Sequence, residues 1–152
     1  MALRTHSSTA VEKYSQEAAD KCVPLDSELI KEAIPLFTQI HHCGSVLAEV
    51  FFAMMISRIL YGSVPAPGTM VIFSILLATC SIGTPGLPWG TVMVSLGTLT
   101  GILKFGDSGL ALMFAVFALN DAFAAACNAT CDGAAALFLT GYVKRHDFSN
   151  RL

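Results

Sequence analysis

Residues 69–103 read TMVIFSILLATC, then SIGTPGLPWG, then TVMVSLGTLTGIL: an apolar arm (69–80), a centre dense in glycine and proline (81–90), and a second apolar arm (91–103). Each arm is short of the roughly 20 residues that a helix needs to cross a bilayer core of about 30 Å. The centre does not continue a helix, because proline lacks the amide proton and glycine is conformationally costly to order. One long helix with a bend is possible on this pattern. A re-entrant hairpin fits better: helix, irregular tip, helix, with both ends on one side. Such a tip cannot face lipid with its backbone groups unsatisfied, so it belongs inside protein or beside a wet cavity, where transporters bind substrates and ions.

The flanks support a membrane setting. The chain has 152 residues, 54% of them hydrophobic and only 13% charged, against about a quarter charged in an ordinary soluble domain. Across 43–103 the only Asp, Glu, Lys or Arg residues are Glu49 and Arg58. Residues 44–64 form an apolar run long enough to span, and 62–68 (GSVPAPG) read as a loop. Residues 109–143 form the last apolar element, followed by Lys144, Arg145 and Arg151. Basic residues there predict a cytoplasmic C-terminus. Two spans around a hairpin then put the N-terminal segment, with Lys13, Lys21 and Lys31, on the same side.

The expected organisation is an all-α membrane protein. Residues 1–33 form a cytoplasmic-side segment. Residues 34–152 form the membrane core: a helix at about 34–62, the hairpin at about 69–103, a last helix at about 109–143, and a basic tail. The net charge of −2 gives no basic footprint for nucleic acid. Residues 1–19 show no apolar signal-peptide core. The five cysteines, Cys22, Cys43, Cys80, Cys127 and Cys131, form no disulfide framework and read as small hydrophobes. No nucleophile–base constellation points to an enzyme.

The last helix carries Asp121, Asn128 and Asp132 in an alanine-rich stretch. At about 100° per residue, Asn128 and Asp132 lie about 20° to either side of Asp121, with Ala125 on the same stripe. Two carboxylates and an amide thus share one narrow face. At bilayer depth such groups face a cavity, a cation or a partner; interhelical polar glue is the plainer account. With no Lys or Arg nearby, the pattern favours an exogenous cation. Weaker signals are His41-His42-Cys43 as a soft-metal set, the Cys127/Cys131 pair one turn apart, and the formal sequon at Asn128. Glu49 and Arg58 are too far apart to pair along one helix, and Arg58 sits where it can snorkel. Trp89 is an interfacial anchor or a gate. Phe51, Phe52, Met54 and Met55 read as lipid or core contacts.

These residues resemble a known family. SIGTPGLPWG is similar to the second re-entrant hairpin tip of glutamate-transporter homologues, in the dicarboxylate/amino acid:cation symporter family, whose pattern is close to SIGTAGVPGAG. NDAFAAACNATCDGAAA resembles their last transmembrane helix, D-x-x-R-T-x-x-N-x-x-G-D. IPLFTQIHHCGS (34–45) is similar to LPLGATINMDGT, the unwound centre of the preceding helix. RTHSSTA (4–10) resembles the serine-rich tip of the first hairpin. The resemblance runs in the family's order over nearly the whole chain.

It implies the C-terminal portion of an elevator-type transport core, beginning inside the first hairpin. It also implies a separate scaffold domain through which such proteins form trimers, and sodium or a proton as coupling ion with no other cofactor. By resemblance, Asp121 holds the substrate ammonium, Asn128 binds substrate and lends a backbone oxygen to sodium, and Asp132 ligates sodium. Ser81, Ile82 and Thr84 form a second sodium site, Leu87 covers the substrate, and Ser7 and Ser8 meet its carboxylate. Ala124 replaces the arginine that reads an acidic side chain and Ala125 the adjacent hydroxyl. His41 and Cys43 replace the asparagine and aspartate of a cation site, Phe37 a glycine whose carbonyl helps bind sodium, and Trp89 a small tip residue. Without the guanidinium, the bidentate grip on a second carboxylate is lost. The expectation is symport of a small, neutral amino acid or a dicarboxylate by a partial or split transporter. The alternative is a non-transporting remnant or accessory membrane protein.

Overall fold

In a computed structural model of the chain, the described residues are 1–22, 27–84 and 90–146. Every regular element among them is helical. A short helix α1 (Ala2–Thr5) and a 3-10 turn (Thr9–Val11) lead into α2 (Glu12–Ala19). Then come α3 (Ser27–Ile40), α4 (Cys43–Tyr61), α5 (Pro67–Ile82), α6 (Gly90–Gly101) and α7 (Asp107–His146).

Helix α7 organises the rest. Its 40 residues would extend about 60 Å, twice a bilayer core. The buried positions are Gly109, Met113, Phe117, Asp121, Ala124, Ala125, Asn128, Asp132, Ala136 and Thr140. They recur every three or four residues, one continuous stripe down the helix. Helices α4, α3 and α1 pack along that stripe. At one end, Phe73, Leu77, Val92 and Leu99 of α5 and α6 meet Ala53 and Ile56 of α4 and Met113 and Phe117 of α7 in the main core. At the other, Ala19, Ile30, Ile34 and Ala136 form a second cluster, with Phe37 against it.

The expected membrane helix covers about 34–62, and by resemblance residues 34–45 form its unwound centre. Helix α3 reaches back to Ser27, and its division from α4 falls at His41–His42, inside that segment. Ile30, Ala33, Ile34 and Thr38 are all buried, so one packed face continues through position 33. Pro35 lies inside α3 and cannot donate to the carbonyl four residues back. That carbonyl, of Lys31, accepts from Gln16 Nε2 at 3.4 Å instead. At the division, His42 leaves helical geometry with φ −103° and ψ 39°.

Helices α5 and α6 lie against each other, which one bent helix would not allow. Pro67 opens α5 within its first turn, where a missing N–H costs nothing. Two stretches, Glu28–Tyr61 and Asp107–His146, are long and apolar enough to cross a membrane. Only 28% and 33% of their most apolar windows are buried inside the chain, which does not suit the core helices of a soluble protein. Leu47, Ile59, Leu119, Phe123 and Phe138 stand outward from them. Phe51 and Met55 face out as well, while Phe52 and Met54 pack on the core. Arg58 donates to the Gly62 carbonyl at the end of α4, where a cation offsets the helix dipole.

Candidate functional site

The break between α3 and α4 sits against the polar stripe of α7. Helix α4 starts at Cys43 with no side-chain cap of its own, so its first amide protons need acceptors. Asn128 of α7 supplies them. Its Oδ1 accepts from Gly44 N–H at 2.8 Å and Ser45 N–H at 3.3 Å, and its Nδ2 donates to Ser45 Oγ at 2.9 Å. The amide is an N-cap delivered from another helix. Gly44 makes this possible: a Cβ there would fall 2.6 Å from Cys127 Cβ and 2.7 Å from the Ala124 carbonyl oxygen. Asn128 is therefore held, and closed to a glycan.

One turn further along α7, Asp132 is 1% exposed. His41 Nδ1 lies 3.1 Å from its Oδ1, and Thr38 Oγ1 lies 3.4 Å from its Oδ2. His42 turns the other way, buried beside Ser81 at the end of α5. The two imidazoles have different partners, and among the described residues no three His, Cys, Asp or Glu side chains gather to hold a metal. The Cys43 thiol instead contacts that of Cys131 across α4 and α7, and all five cysteines are free.

Asp121 is buried at 4% about 16 Å up the helix from Asp132, eleven residues at about 1.5 Å each. One small ligand does not touch both. His6 Nδ1 is 3.8 Å from Asp121 Oδ2, bringing the N-terminal segment onto α7. Next to His6, Ser7 and Ser8 are buried. Ser7 Oγ accepts from Ala10 N–H at 3.2 Å, fixing the turn. Ala124 and Ala125, one turn along α7 from Asp121, are buried, and the Ala124 carbonyl faces Gly44 of α4.

The second expected cation locus ends α5. Ser81 and Thr84 are buried and Ile82 is exposed. Ser81 Oγ donates to the Ala78 carbonyl at 2.8 Å, and Thr84 N–H to the Ser81 carbonyl at 3.0 Å. Ser81 and Ile82 share a cavity of about 450 Å³ with His41, His42 and Cys43. Leu87 and Trp89 lie outside the described residues.

Sequence reasoning left Glu49 without a role. It is fully buried and hydrogen-bonds Ser95 of α6 through Oε1, while Oε2 has no partner. A lone acid in an apolar run was the available signal; its partner lies on another helix, 46 positions away.

The profile of the Sodium:dicarboxylate symporter family matches residues 1–141, from the N-terminal segment into the last turns of α7. The chain belongs to the sodium:dicarboxylate symporter family. No curated protein and no solved structure matches it. Membership in a symporter family, with two helices of spanning length, makes this a membrane protein of a transport family and not an enzyme family. The family's name gives sodium and a small dicarboxylate as the general chemistry.

Proposed function

We propose that this symporter-family chain carries the ligand-binding core of a secondary active transporter for a small, neutral amino acid or a dicarboxylate, coupled to sodium or protons. The observation that carries the reading is Asp121. It is a buried carboxylate on the face of α7 that His6 approaches, with buried Ser7 and Ser8 next to His6 in the chain and alanines, not an arginine, at 124 and 125. Asp121 takes the substrate ammonium, and Ser7 and Ser8 its carboxylate. No guanidinium is left to reward a second carboxylate, which favours the neutral amino acid.

Leu87 and the tip between α5 and α6 cover the substrate, and that pair forms a re-entrant hairpin. Ser81, Ile82 and Thr84 offer carbonyl oxygens to sodium. Asn128 holds the frame between α4 and α7 with its side chain and lends its backbone oxygen. Asp132 is the second carboxylate, its charge met by an ion or by a donor of the chain itself. Glu49 is the group suited to carry a proton. Both termini face the cytoplasm, and the outward apolar faces of α4 and α7 meet lipid or a separate scaffold domain, through which a trimer forms. A non-transporting, accessory role is the second reading. It is favoured by one observation: Asn128 spends its side chain on helix contacts.

The test is the thermal stability of the detergent-solubilised chain with amino acids and dicarboxylates, with and without sodium. A ligand of the folded state at about 100 times its dissociation constant stabilises by about 2.7 kcal/mol. Stabilisation by a neutral amino acid that disappears in Asp121→Ala supports transport. A well-folded chain that responds to no ligand supports the accessory role.

A further inference from the structure

We infer that His41 stands in for the coupling cation at Asp132: the imidazole is a resident donor that keeps sodium off this carboxylate, so that a sodium response of the chain arises elsewhere. The inference rests on the symporter reading for the meaning of Asp132, and on the geometry for the rest.

Asp132 is 1% exposed, and a carboxylate that deep requires donors on its oxygens. Oδ1 has His41 Nδ1 at 3.1 Å. Oδ2 has the Thr38 hydroxyl at 3.4 Å. That hydroxyl has one proton, and it also reaches the Ile34 carbonyl, at 2.9 Å. The shorter contact holds the proton, so Thr38 is the weaker partner and His41 the principal one. With Asp132 ionised, its carboxylate only accepts, so Nδ1 then carries a proton whether the ring is neutral or charged. The contact does not depend on the ring's charge.

The ring is also placed as a plug. The His41 side chain is 36% exposed and that of Asp132 2%, so the imidazole is the solvent-facing member of the pair. The neighbours that could turn inward to complete an oxygen cage are committed or unsuitable. Asn128 Oδ1 is occupied by the amides of Gly44 and Ser45. Cys43 and Cys131 bring thiols, which are soft donors, whereas a hard cation takes oxygens.

The test uses the full chain in detergent, with sodium chloride against choline chloride at constant ionic strength and no organic ligand. In the parent, Asp132→Asn is expected to leave the sodium midpoint of thermal stabilisation within about twofold. His41→Asn is expected to gain a saturable sodium response, which Asp132→Asn added on top removes. A parental sodium response lost on Asp132→Asn with His41 in place would overturn the inference, as would a folded His41→Asn variant that gains none. A second measurement needs no variant at position 41. In ¹⁵N-histidine spectra of the parent, an Nδ1–H signal assigned to His41, absent in Asp132→Ala, is expected to stay put at saturating sodium; displacement by sodium overturns the idea. Failure of amino-acid binding at Asp121 would sink the transport reading alone, because these arms are read with sodium only.

Discussion

Glu49 and Ser95 share too few protons if both are written in their ordinary forms. Ser95 Oγ contacts Glu49 Oε1 and also lies 3.0 Å from the Val92 carbonyl. A hydroxyl has one hydrogen to give. Both bonds are made at once when Glu49 carries a proton and donates to Ser95, which then donates to Val92. A neutral amide does the same through its N–H. Glu49→Gln is therefore expected to keep thermal stability near the parent. Glu49→Ala, which removes the partner from a buried hydroxyl and leaves a gap, should cost about 1–3 kcal/mol. Calorimetry or denaturation in detergent separates the two; equal losses would show that the carboxylate is ionised or irrelevant. A second residue-scale expectation concerns Gly44. Its missing Cβ would sit 2.6 Å from Cys127 Cβ and 2.7 Å from a backbone oxygen that cannot swing away. Gly44→Ala should thus cost about 1–3 kcal/mol by overpacking, read as a lower melting temperature. At this scale the sequence was legible where angle alone decides. Asp121, Asn128 and Asp132 fall on one stripe at helical periodicity, and all three are buried on it. Glu49 and His41 were not legible, because their partners stand 46 and 91 positions away.

Between elements, the joint of α3, α4 and α7 matters most. The start of α4 has no local cap, and nothing in HHCGS advertises a helix break beyond its single glycine. The acceptor that makes the break tolerable is Asn128, on α7. That is why the pattern of residues 34–62 reads as one helix, and why similarity to an unwound family segment, not local propensity, pointed to the division. Asn128→Ala would leave two amide protons without their acceptor in a buried joint. It is expected to cost about 1–3 kcal/mol and to speed amide exchange at Gly44 and Ser45 ahead of the rest of α4. Uniform exchange across α4 in the variant would mean that water caps the helix equally well. The apolar arms of α5 and α6 were legible because Gly and Pro punctuate them. Their mutual packing could not be read from one sequence, since either a bend or a reversal satisfies the same composition.

For the whole molecule, the question is how these helices sit in a bilayer, and helix lengths decide what to test. Helix α5 has 16 residues and α6 has 12, about 24 Å and 18 Å of rise. Each falls short of a bilayer core of about 30 Å. Glu28–Tyr61 and Asp107–His146 are each long enough to cross. If only these two cross, residues 1–22 and the basic end of α7 share one side. The loop after α4 and the loop before α7 share the other, and α5 ends inside the membrane. If α5 and α6 also cross, the termini still share a side, but the end of α5 emerges beside them. Labelling with a membrane-impermeant maleimide distinguishes the two. The five native cysteines are first replaced by alanine, and single cysteines are placed at Lys13, Ser63, Lys104, Thr84 and Lys144. The expected result is labelling of positions 13 and 144 from the cytoplasmic side and of 63 and 104 from the opposite side. Position 84, buried near the end of α5, should label slowly from either. Rapid labelling of position 84 from the cytoplasmic side would make α5 and α6 crossing helices. Polar carbonyls of Ser81 and Thr84 would then lie at the membrane surface, and the cation locus proposed for the end of α5 would lose the depth that gives it a function.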